Sequence, residues 1–144
     1  MSNTPRATLQ QNTRLIDFPS LGDVRGQLCA LESVSAYVPF DIKRVYYMWD
    51  VGADQVRGKH AHYTLKQVLI CLGGACEVVV DDGRQRQTVR LDSPLKGLLI
   101  DGFIWREMQH FTPGATLMVL ANAHYDEADY VRNYDQFLQQ ANEG

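Results

Sequence analysis

The chain has 144 residues, 45% of them hydrophobic and 22% charged, with a net charge of −3; this is the length of one domain and an ordinary globular composition. No basic cluster suggests nucleic acid, and no run reaches the ~20 apolar residues of a membrane span. The three cysteines, Cys29, Cys71 and Cys76, have no metal-like spacing and suit a reducing cytoplasm; Cys71 and Cys76, in apolar stretches, predict small core residues.

Residues 1–13 are polar and predict a flexible N-terminal segment, and "MSNTPRATLQ" holds no apolar signal core. Short apolar segments follow, beginning with "LCALESVSAYVPF" and "IKRVYYMWDV". After them come "QVLICL", "ACEVVV", "QTVRL", "LKGLLI" and "TLMVLAN". Gly73-Gly74, Asp81-Asp82-Gly83, Ser93-Pro94 and Thr112-Pro113-Gly114 separate them. Short strands with this punctuation predict an all-β sandwich or barrel. "VVVDDGRQRQTVRL" predicts a hairpin, because Asp-Gly supplies the positive φ of a tight turn. In "DEADYVRNYDQFLQQ", Tyr130, Tyr134, Phe137 and Leu138 recur at helical spacing behind leading acids, which predicts a C-terminal helix. One all-β domain over 1–144 with that helix is the expected architecture.

"GKHAHYTLKQVLICLGG" (58–74) carries the most chemistry. Residues two apart on a strand face the same side, so His60 and His62 point together and Ala61 points away. His-x-His raises the possibility of a metal. The frame is similar to the first motif of the cupin superfamily, with Gln67 where that motif has Glu and Gly74 at its glycine. The second motif would lie in "IDGFIWREMQH", where Trp105 and Arg106 stand in place of a ligand, and neither His110 nor His124 is at the motif position. A catalytic zinc site wants three protein ligands, and a facial iron site wants two His and a carboxylate. Two imidazoles, an amide and a guanidinium meet neither requirement, so no metal and no cofactor are expected. Burying two imidazoles together is costly unless they are satisfied or used.

Over roughly residues 17–138 the chain resembles the cupin-fold sugar 3,4-ketoisomerases (WxcM-like C-terminal domain) that act on dTDP-4-keto-6-deoxyglucose. "DVRGQL", "VPFDIKRVYYMWDV", "RGKHAHYTLKQVLICLGG", "LDSPLKGLLIDGFIWREM" and "VLANAHYDEADYVRNYDQFL" carry the resemblance. It implies a cupin jelly-roll β-barrel with a short C-terminal helix and a metal-independent isomerase. It further implies dTDP-4-keto-6-deoxy-D-glucose as substrate and a dTDP-3-keto-6-deoxyhexose as product, in the biosynthesis of deoxy or amino sugars for surface glycans or antibiotics. By resemblance His60 is the base and His62 a shuttle or sugar-binding group, although the sequence ranks neither imidazole above the other. Tyr46 shares a strand face with Arg44 and is implied as a proton shuttle to C4. Arg106 is implied to hold a substrate oxygen or to set the C4 configuration, and an arginine there points to the gluco product. Arg44, Arg57, Lys59, Gln67 and Arg25 are candidates for substrate binding, the cations because guanidinium and ammonium match diphosphate oxygens. Gln27 departs from the aromatic or basic residue of some relatives. A homodimer with swapped N-terminal strands is also implied. A cupin-type dTDP-sugar epimerase and a non-catalytic sugar-nucleotide binding module are the alternatives, with a metal-dependent oxygenase behind them.

Overall fold

The computed structural model describes residues 9–143. It contains the strands β1 (Thr13–Asp17), β2 (Arg44–Trp49), β3 (Arg57–His62), β4 (Lys66–Gly73) and β5 (Cys76–Asp81). These continue as β6 (Arg86–Leu91), β7 (Lys96–Asp101), β8 (Trp105–Gln109), β9 (Thr116–Ala121) and β10 (Tyr130–Val131). One sheet has the order β1-β7-β4-β9-β2, the other β10-β3-β8-β5-β6, and every pairing is antiparallel. The result is the expected jelly roll, with the helix α1 (Tyr134–Ala141) packed on the outer face of the second sheet. Among the described residues no helix is long and apolar enough to cross a membrane.

Three apolar layers explain the strand sequences. Leu69, Cys71, Val78, Val80, Leu98, Ile100, Leu117 and Val119 fill the space between the sheets. The outer face of the first sheet is covered by the long β1–β2 connection, whose Phe18, Val38 and Phe40 pack on Val68, Ile70 and Leu99. Burial on both faces is why β4 reads as an unbroken apolar run rather than an alternation. On the second sheet, Ala61 and Trp105 are capped by Val131 and Phe137, so the small residue between the two histidines does lie under an opposite layer. The Asp82–Gln85 turn, with Gly83 at φ 95, joins β5 to β6 as the hairpin signal predicts.

Three local expectations change. "LCALESVSAYVPF" contains no strand: Val34 N–H donates to Phe40 O at 2.9 Å and Ser35 N–H to Val38 O at 2.9 Å, so the segment bonds to itself. Its apolar residues serve as a lid on the first sheet. The C-terminal helix begins later than its periodicity suggests. Asn133 caps it by accepting from Gln136 N–H, and Tyr130 lies before it on β10, paired with His62. Of the flexible segment expected over 1–13, residues 1–8 lie outside the described residues. In the remainder, Gln10 is buried, and its side chain donates to Val80 O at 2.9 Å and to Gln85 O, which anchors the start of β1.

Candidate active site

A cleft of about 480 Å³ opens at one end of the roll, between β2, β3, β8 and the segment around β10. Alternation on β2 turns Arg44, Tyr46 and Met48 inward and leaves Val45, Tyr47 and Trp49 exposed. On β3 a bulge at Gly58 (φ 85) and Lys59 (φ 57) resets the register, and His60 then faces Arg106 across the β3–β8 pair. A bulge of this kind re-aims side chains beside a site. Alternation then brings His62 to the same side, with its ring centroid 4.8 Å from that of His60.

Tyr130 packs against both imidazoles, its centroid 4.9 Å from His60 and 4.3 Å from His62. His62 is fully buried, and its Nδ1 lies 3.3 Å from Asp129 Oδ2, out of line for a hydrogen bond. The Asp129 carboxylate is itself fixed, accepting from Thr64 N–H and Oγ1 and from Leu65 N–H. Burial, followed by the positive field of Arg106, lowers the pKa of His60 to about 4 and that of His62 to about 2. Both imidazoles are therefore neutral at pH 7 and able to accept a proton.

Gln67, buried on β4, donates through Nε2 to the Tyr46 hydroxyl at 2.9 Å. Burial raises the pKa of that hydroxyl, while Arg106 and Gln67 pull it down. Arg106 lies wholly inside, behind Gln67, where desolvation depresses its own pKa to about 10. Arg44, Arg57 and Arg132 line the cleft. The Arg44 Nε and Nη2 are buried without a hydrogen-bond partner, whereas Arg132 is held by Glu127 at 2.7 and 2.9 Å and lies 4.2 Å over the Tyr130 ring. Among the described residues no three His, Cys, Asp or Glu side chains are grouped to hold a metal.

The structure thus brings together His60, His62, Tyr46, Gln67, Arg106, Arg44 and Arg57. It does not bring in Lys59, which is exposed on the bulge and absent from the cleft lining, nor Arg25. Arg25 is exposed on an arm outside the cleft and ion-paired with Asp23. Tyr130, Arg132, Tyr125 and Met108 line the cleft although sequence reasoning gave them no role. Reading Tyr130 as part of a helix hid it. The signal that separates it is Asn133, a helix cap with a Gln three residues later.

The family model for FdtA, described as WxcM-like, C-terminal, matches residues 11–142. The chain is 47% identical over 124 residues to a TDP-4-oxo-6-deoxy-alpha-D-glucose-3,4-oxoisomerase of Aneurinibacillus thermoaerophilus, spanning 86% of this chain and 88% of that one. A mutant of the 3,4-ketoisomerase QdtA from Thermoanaerobacterium thermosaccharolyticum, solved in complex with TDP-4-keto-6-deoxyglucose, superposes with a TM-score of 0.89. It shares 42% identity over 92% of this chain and 96% of its own. The WlaRB TDP-quinovose 3,4-ketoisomerase from Campylobacter jejuni has a TM-score of 0.86 and 45% identity, over 90% of this chain and 99% of its own.

Proposed function

The chain belongs to the FdtA family, the WxcM-like C-terminal type, and from that premise we propose that it catalyses the 3,4-ketoisomerisation of dTDP-4-keto-6-deoxy-D-glucose. The observation that carries the chemistry is a pair of neutral, buried imidazoles, His60 in the lining of a cleft rimmed by arginines and His62 packed against it. The rim cations Arg44, Arg57 and Arg132 suit the diphosphate, and the unpartnered donors of Arg44 suit it most directly.

In this reading the imidazole pair removes the proton from C3, with His60, which opens on the cleft, as the base and His62 behind it. The C3–H electrons form a C3–C4 double bond, and the C4 carbonyl oxygen becomes an enediolate oxygen that takes a proton. The O3–H proton then leaves, the C3 carbonyl forms, and C4 receives a proton from Tyr46. Atoms and electrons balance with no external oxidant or reductant. The buried cation of Arg106, behind Gln67, supplies a positive field that favours negative charge developing on the sugar oxygens. The donor set of two imidazoles, an amide and a guanidinium suits metal-independent proton transfer.

The product is taken to be dTDP-3-keto-6-deoxy-D-glucose. Arg106 and the similarity to a relative named for quinovose, which is 6-deoxyglucose, support it. The protein works in the cytoplasm, in keeping with three unpaired cysteines. It is a homodimer. The arm over residues 19–30 is exposed throughout its length, including Leu21, Val24 and Leu28, and the outer face of the edge strand β2 shows Val45, Tyr47 and Trp49. Apolar surface of this kind marks an interface. Lending the arm to a second copy covers both and carries Arg25 away from its own cleft.

Incubating the protein with dTDP-4-keto-6-deoxyglucose in D2O and following the product by NMR tests the reading. The expected result is a C3 carbonyl, deuterium at C4 and a large axial–axial coupling from H5 to any residual H4. Deuterium at C5 with the carbonyl retained at C4 would show an epimerase instead. Binding with no exchange would show a non-catalytic module.

A further inference from the structure

Behind the cleft runs a chain of three side chains whose polarity can be fixed without seeing a hydrogen. Arg106 Nη1 donates to Gln67 Oε1 at 2.5 Å, and Gln67 Nε2 donates to the Tyr46 oxygen at 2.9 Å. The other two Arg106 nitrogens each donate to one backbone acceptor, Ile104 O, at 3.2 Å from Nε and 3.1 Å from Nη2. Arg106 and Gln67 are each only 1% exposed, and no carboxylate of the described residues pairs with Arg106. A guanidinium has donors and no acceptor. The amide at 67 is therefore forced to present its oxygen to Arg106 and its NH2 to Tyr46. The Tyr46 oxygen must accept, and its single proton has to point elsewhere, into the cleft that Tyr46 lines.

We infer that Gln67 is a positioning residue: its amide is oriented by Arg106 and in turn aims the Tyr46 O–H at the bound sugar. This rests on the ketoisomerase reading above. It replaces the substrate-binding role expected of Gln67, which is buried and absent from the cleft lining. It also explains an amide at the position where the cupin motif has an acid. A carboxylate there would accept from both neighbours. It would turn the Tyr46 proton inward and neutralise the buried guanidinium. Burial raises the Tyr46 pKa, and Arg106 and Gln67 both oppose that push, as a donated hydrogen bond and a nearby cation should.

Gln67→Glu keeps the shape and reverses the polarity, so it separates positioning from packing. With EDTA present, to deny the new carboxylate and the two histidines a cation, kcat is expected to fall about 100-fold, the scale of one acid–base contribution. KM should stay within about threefold, as for an interaction made in the transition state. In a Tyr46→Phe background the same substitution should cost nothing further, because the two residues act as one unit. In substrate-free protein, the phenolate absorbance assigned to Tyr46 by difference from Tyr46→Phe should titrate at higher pH in Gln67→Glu. Gln67→Met, which removes the donor without adding charge, should move that titration the same way by less. The inference is overturned if Gln67→Glu keeps wild-type kcat, loses as much in the Tyr46→Phe background, or leaves the Tyr46 titration in place. Absence of turnover in the wild type would overturn the ketoisomerase reading, while the titration would still report on the relay.

Discussion

His60 and His62 are kept neutral by the fold, which has a consequence for stability as well as for chemistry. Their folded pKa values, about 4 and about 2, lie below the 6.5 of a free imidazole. The unfolded chain therefore binds more protons than the folded one below pH 6.5. Stability is fully present above that pH and is lost as pH falls, down to about 4 for His60 and further for His62. Each histidine adds a slope approaching 1.4 kcal/mol per pH unit, roughly, within its window. His62→Asn is expected to flatten the fall of the urea midpoint between pH 6.5 and 4, to keep dTDP binding and to lose at least about 100-fold in kcat. An unchanged pH slope would show that His62 titrates normally, and unchanged turnover would remove it from the mechanism.

At the scale of elements, the β3 bulge decides whether His60 reaches the cleft. Gly58 sits at φ 85, and a Cβ there would meet Met108 Sδ at 3.0 Å and Arg106 O at 3.1 Å. Gly58→Ala combines a strained backbone with a close approach to the strand that carries Arg106. It should cost about 1–3 kcal/mol in thermal or chemical denaturation, and activity should fall more than stability explains. Retention of both would mean that the bulge can be rebuilt without moving His60. Elements were unevenly legible. Asp-Gly marks the β5–β6 hairpin because turn chemistry is local, and Gly73-Gly74 marks the turn by which the chain passes from one sheet to the other. Tyr130 was assigned to a helix because its offset to Tyr134 is helical, yet its backbone pairs with His62 at the sheet edge. "LCALESVSAYVPF" looks like a strand because any segment covering a sheet needs apolar residues, whatever its backbone does.

For the whole molecule, the two five-stranded sheets place their polar inward residues at one end and their apolar ones along the rest of the interior. The exposed arm and the outer face of β2 are what a second copy would cover. Light scattering should give about twice the 16.3 kDa of the chain, and replacing Val24 and Leu28 together by Ser should shift the protein toward monomer. A monomeric native protein would leave the arm without its proposed occupant.

The sequence by itself determined the strand-rich class, the turns and the convergence of His60 with His62 and of Arg44 with Tyr46. Each of these follows from a two-residue period or a local dihedral preference. Only the tertiary structure decided that Tyr130 and Arg132 belong to the cleft, that Arg25 and Lys59 lie outside its lining, and that Arg106 sits behind Gln67. Those outcomes depend on which strands pair and in what register. They join residues tens of positions apart, through contacts that no local preference encodes.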